Sequence, residues 1–117
     1  MPQDPLSIED VSGMPEGQRL LRLSGPVLLS NFFEFQALVR ASSAPTLILD
    51  LTQVPYIDSA GIGALVGAYV THQKHGRRLA LVGVTKRVRD TMQVTHVEQF
   101  FPFYDTVEAA QAETAKA

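Results

Sequence analysis

Cysteine is absent from this chain. That excludes a disulfide framework and thiolate chemistry, and it suits a reducing compartment, so a cytoplasmic location is the expectation. Charge of one sign is also lacking. The formal net charge is −2, too small to attract nucleic acid or an acidic membrane surface, and neither is expected as a partner. No apolar run is long enough for a bilayer: Ala60 to Val70 is too short, rich in glycine and alanine, and reads as a buried helix. The opening Met1-Pro2-Gln3-Asp4 has no basic or apolar signal region, so no signal peptide is expected. Also missing are an internal repeat, the G-x-x-x-x-G-K-[ST] phosphate loop, and the acidic cluster that a receiver domain carries after its first strand. What remains is a chain of 117 residues, 45% hydrophobic and 19% charged. It is large enough for one core without staples. The expectation is a single domain over 1–117, with its core at about 6–112 and short flexible termini.

The coarse order reads β-β-α-β-α-β-α-β-α. Leu6 to Val11 is a weak strand candidate, and Arg19 to Leu23 alternates partially before Ser24-Gly25-Pro26. Asn31 with Glu34 three residues on resembles a capping box, opening a helix with Phe32, Phe35, Leu38 and Val39 as its apolar stripe. Thr46-Leu47-Ile48-Leu49-Asp50-Leu51 is nearly continuous in apolar residues, as a strand covered on both faces should be. A helix then runs from Ser59 to Lys74 and His75, with Gly76 as its stop. Arg78 to Gly83 is a fourth strand, and Thr85 caps a short helix through Val88 and Met92. Phe100 to Tyr104 is a fifth strand candidate whose Pro102 argues for an edge or a strand start. Asp105 and Glu108 form a second capping-box-like start for an alanine-rich closing helix. Alternating strands and helices predict an α/β fold with a largely parallel sheet, and the functional surface lies beyond the carboxyl ends of its strands.

The segment that carries chemistry is Asp58-Ser59-Ala60-Gly61-Ile62-Gly63, directly after the buried strand and its loop. Ser59 sits at or beside a helix N-cap. The free N–H groups there, with the positive end of the helix dipole, would stabilise a phosphate on its hydroxyl. A plain structural cap explains the serine equally well, and Asp58 is a second cap candidate. Gly61 and Gly63 either leave backbone open to a partner or allow helix to pack closely on sheet.

Asp50-Leu51, Val54, Ile57 and the Asp58-Ser59-Ala60-Gly61-Ile62-Gly63-Ala64-Leu65 run resemble the signature of the STAS domain family, the anti-sigma factor antagonists. The resemblance implies a mixed, mostly parallel sheet of four to five strands flanked by about four helices. It also implies a binding protein rather than an enzyme, with no cofactor and no metal. Ser59 would be phosphorylated by an anti-sigma factor with a GHKL-type serine kinase domain, and a PP2C-type phosphatase would reset it. Asp58, Ser59, Ala60, Gly61, Ile62 and Gly63 would shape the docking surface. A second copy of the chain is a further candidate partner. One departure stands out. Antagonists of this kind usually carry an acid in the loop before the first helix, whereas Gly25 to Asn31 holds none. A scaffold or ligand sensor that binds without modification is therefore the alternative. Leu28, Leu29 and Phe33 either form an association patch or pack under the first helix.

Lys86 and Arg87, with Arg89, crowd a helix start, where positive charge opposes the dipole. They fit an acidic partner near Ser59 or a solvated surface. His72 and His75 are three apart on a helix without an acidic or cysteine companion at ligand spacing, and His96 stands alone, so a metal site is disfavoured. A serine hydrolase elbow needs G-x-S-x-G, but Ile57 occupies the position two before Ser59, and only His96 could serve a triad.

Overall fold

The computed structural model describes residues 5–115. The polar opening Met1 to Asp4, and the last two residues of the expected flexible terminus, lie outside the described residues. One five-stranded sheet has the order β1-β2-β3-β4-β5. Its strands are β1 (Ser7–Val11), β2 (Gln18–Ser24), β3 (Thr46–Gln53), β4 (Arg78–Val82) and β5 (Phe103–Tyr104). β1 runs antiparallel to β2, and every later pairing is parallel. The helices are α1 (Phe32–Ala41), α2 (Ser59–Lys74), α3 (Lys86–Val94) and α4 (Val107–Thr114). The expected element order and mixed, mostly parallel sheet are both found.

The run in β3 is apolar because both faces of that strand are covered. Leu47, Leu49 and Leu51 enter the core shared with Leu21, Leu23, Phe35, Leu65, Leu81, Val88 and Met92. Ile48 faces the other way, into a smaller cluster with Leu20, Ala80, Val82 and Ala110. Three helices thus cover one face and α4 the other. Each fully buried leucine contributes about 2 kcal/mol relative to exposure, so β3 alone anchors both layers.

Several boundaries differ from the sequence expectation. Asn31 precedes α1, but its side chain caps nothing. Its Oδ1 accepts from Leu28 N at 2.8 Å and its Nδ2 donates to Pro26 O at 3.0 Å, so the amide closes the β2–α1 loop instead of a capping box. α4 starts one residue later than Asp105 suggested: Thr106 is the cap and its hydroxyl accepts from Ala109 N at 3.1 Å. β5 keeps only two residues because Glu98–Phe100 winds into a 3-10 turn. Pro102 immediately precedes it, and β5 is an edge strand, as its proline suggested.

Candidate functional site

The loop from β3 to α2 is held from three sides. Val54 N donates to Leu51 O at 3.0 Å. Val27 and Ile57 form a parallel bridge, and Asp58 N donates to Val27 O at 3.3 Å. From the far side the Thr85 hydroxyl donates to Val54 O at 3.3 Å, tying the start of α3 to this loop. The same hydroxyl accepts from Val88 N, so Thr85 is the cap that the sequence indicated.

Asp58, not Ser59, is the N-cap of α2. Its Oδ1 accepts from Gly61 N at 2.9 Å, and its carbonyl accepts from Ile62 N at 2.9 Å. The other carboxylate oxygen, Oδ2, accepts from Leu29 N at 3.0 Å. Of the two cap candidates the carboxylate wins, since a charged acceptor makes the stronger bond. Ser59 therefore occupies the first helical position, where its side chain is exposed and carries no cap bond.

Of the residues expected to shape a docking surface, Ser59 and Gly63 are exposed, and Asp58 and Ala60 are half-buried. Gly61 and Ile62 are buried, so they shape the surface only from beneath. A Cβ at Gly61 would lie 2.3 Å from Val27 O and 2.4 Å from Ile57 Cγ1. Close packing is thus the reason for this glycine. At Gly63 and Gly67 a Cβ would meet nothing within 4 Å, so there the backbone of α2 is bare to solvent.

Beside this helix start, Leu29 and Phe33 are 65% and 63% exposed, while Leu28 is half-buried. Packing under the first helix therefore does not account for Leu29 and Phe33. Arg87 lies over the Tyr56 ring, 4.7 Å from its centroid, at the rim of the Ser59 loop. Lys86 instead pairs with Asp90 along its own helix at 2.9 Å. Sequence reasoning missed Val27, Tyr56 and the second bond of Asp58. No local spacing signals any of them, because each joins segments about thirty residues apart in the chain. His72 is buried, His75 ends α2, and His96 follows α3. Among the described residues no group of three His, Cys, Asp or Glu lies together as a metal site would need.

Asp50, at the end of the buried run, is 8% exposed. Burial pushes its carboxyl up, but bonds from the Thr52 hydroxyl at 2.6 Å, Thr52 N at 3.0 Å and Arg22 Nε at 3.1 Å outweigh this. The group is held below the ordinary carboxylate value.

Residues 10–110 match the family model described as the STAS domain. An anti-sigma-B factor antagonist of Listeria monocytogenes is 37% identical over 49 residues, which is 42% of this chain and 43% of that protein. The matched stretch thus spans less than half the length of that relative. The structure of an anti-sigma factor antagonist from Mycobacterium paratuberculosis superposes with a TM-score of 0.79 at 21% identity, covering 97% of this chain and 96% of that one. The Bacillus cell fate determinant SpoIIAA, in its phosphorylated form, gives a TM-score of 0.71 at 17% identity over 94% of this chain and 99% of that one.

Proposed function

This chain belongs to the STAS domain family, and on that premise we propose that it is an anti-sigma factor antagonist working in the cytoplasm as a single domain. Its partner is an anti-sigma factor with a GHKL-type serine kinase domain, and the docking surface centres on Ser59. The observation that carries this reading is the position of Ser59: exposed at the first turn of α2, beside the capping carboxylate of Asp58 and flanked by exposed Leu29 and Phe33. Unphosphorylated, the patch buries its apolar side chains against the kinase and releases the sigma factor. Phosphate on Ser59 adds close to two negative charges next to Asp58, which disfavours the complex by repulsion. The helix N-terminus meanwhile makes the phosphorylated state tolerable within the free protein. A PP2C-type phosphatase resets the switch. In this reading Asp58, Ala60 and Gly63 contact the partner, Gly61 and Ile62 support them, and Arg87, with Lys86, supplies positive charge at the rim.

Incubation with the cognate kinase and ATP, followed by mass spectrometry, tests the reading. The expected result is phosphate on Ser59, a complex before the reaction and none after it, and a Ser59→Ala protein that binds but is never modified. No complex with a catalytically competent kinase would overturn it. A second reading, a scaffold that binds without modification, is favoured by the acid-free loop 25–31. Its signature is a stable complex whose Ser59 stays unmodified in the presence of ATP. Light scattering on the isolated protein tests the homodimer, with Leu29→Glu as the control that removes the patch.

A further inference from the structure

The far end of α2 from Ser59 borders a cleft of about 510 Å³ that the Ser59 surface does not include. That volume is in the range of small-molecule sites. The cleft exists because β5 is short. β5 pairs with β4 only at Leu81 and Val82, so no β5 residue stands opposite Leu79. In a parallel strand the N–H and C=O of one residue point to the same side, and those of the next residue point to the other. Leu81 N donates to Pro102 O at 3.0 Å. Leu79, two residues earlier, therefore turns its N–H and C=O to that same, open side. The end of α2 closes the cleft on one face of the sheet and the end of α4 on the other, through Tyr69 and His72 and through Glu113 and Thr114.

A second, independent observation concerns His72, a cleft-lining residue only 2% exposed. Its Nδ1 lies 2.8 Å from Ala68 O. A carbonyl oxygen only accepts, so Nδ1 carries the hydrogen. Nε2 has no partner among the described residues. A buried polar atom in that state calls for a group that satisfies it. The remaining lining fixes the chemistry of that group. Tyr69, Phe100 and Tyr104 supply ring surfaces, and Arg77 and Arg78 face one acid, Glu113. The excess of positive charge along this lining favours an anionic group. Arg77 spends one N–H on Ser42 O at 3.2 Å and has others to offer.

We propose that this cleft binds a small aromatic carboxylate. The ring lies against Tyr69, Phe100 and Tyr104, the carboxylate meets Arg78 and the Leu79 N–H, and His72 Nε2 borders the bound molecule. The site is separate from the Ser59 surface: His72 lies 13 residues along α2 from Ser59, about 20 Å at the helical rise. The proposal therefore stands or falls apart from the proposed function. Titration of the full chain with 2-naphthoate, read by amide and imidazole NMR, tests it. The expected result is saturable movement of the Gln73, Leu79 and Tyr104 amides and of the His72 ring proton. Neutral 2-naphthamide, and 2-naphthoate with an Arg78→Ala protein, should each bind about tenfold more weakly, the loss of one charge-assisted contact. Arg78 is exposed, so an unchanged amide spectrum elsewhere certifies that the variant is folded. Equal affinity for the acid and the amide, movement confined to other residues, or no movement at millimolar naphthoate would each overturn the proposal.

Discussion

The Asp58 carboxylate binds the neighbouring β2–α1 loop at Leu29: Oδ2 accepts from Leu29 N at 3.0 Å while Oδ1 caps Gly61 N. One side chain thus fixes both the start of α2 and the loop that presents the exposed apolar residues. Asp58→Ala should cost about 1–2 kcal/mol, the worth of a good N-cap, and Asp58→Asn noticeably less, because an amide oxygen still accepts. Urea denaturation gives the stability. Hydrogen exchange at the Leu29 amide should quicken in Asp58→Ala beyond what the global loss explains. If it does not, the carboxylate does not hold the loop.

Gly61 and Gly63 are two residues apart and should respond in opposite directions. A methyl at Gly61 would collide with Val27 O and Ile57, so Gly61→Ala is expected to destabilise by about 2–3 kcal/mol, as overpacking does. A methyl at Gly63 meets nothing within 4 Å, and Gly63→Ala should stabilise by up to about 1 kcal/mol through helix propensity. Thermal and urea denaturation of the pair decide this. Under the proposed function the same Gly63→Ala protein should bind its kinase partner more weakly while being the more stable fold, because the added methyl lies on the docking face.

Much of this was legible in the sequence because burial writes itself into composition. The run from Thr46 to Leu51 reads as a two-faced strand, and the structure buries every residue of it. Thr85 was legible as the cap of α3, and the other caps only as a short set of candidates. Asn31, Asp58, Ser59 and Asp105 can all accept a backbone N–H, and the contacts around them choose, while the cap of α4 is Thr106, outside that set. Asn31 is drawn to Leu28 and Pro26, which lie on its own loop. The exposure of Leu29 and Phe33 was left open, since an apolar residue beside a helix is usually core. The cleft at His72 was not legible at all. It depends on β5 starting late, opposite Leu81, and on two helix ends, some forty residues apart, meeting around a sheet edge.

The ends of α2 and α3 use the same turn with different residues. At α2, Gly76 N donates to Gln73 O and Arg77 N to His72 O, with Gly76 at φ +68°. At α3, His96 N donates to Gln93 O and Val97 N to Met92 O, with His96 at φ 61°. Both are Schellman ends, and this left-handed backbone suits glycine. A side chain there costs about 1–2 kcal/mol, partly offset because glycine orders at a larger entropy loss. His96→Gly should therefore stabilise by about 0.5–1 kcal/mol, and Gly76→Ala should destabilise by a similar amount. Calorimetry of both variants checks the pair. Stabilisation by Gly76→Ala would contradict the geometry.

The Asp50 network makes stability depend on acid in a definite direction. Burial raises the carboxyl, but Thr52 and Arg22 together hold it below its ordinary value in the folded state. A group lowered on folding adds stability that is fully present above its unfolded pKa, about 3.9 for aspartate. That contribution disappears as the pH falls through the folded value. Asp50→Asn leaves the Arg22 guanidinium with only the longer contact to Glu9, at 3.5 Å. The variant should lose about 1–3 kcal/mol near neutral pH, the cost of breaking a partly buried charged hydrogen-bond set. The gap between the two proteins should stay level down to about pH 5 and close progressively as the pH drops below about 4. Thr52→Val removes the hydroxyl donor alone. It should move the acid-unfolding midpoint to higher pH without abolishing the Arg22 pair. Urea melts across this pH series read both effects. A gap between wild type and Asp50→Asn that stays constant down to about pH 3 would mean that Asp50 is not held ionised by these partners.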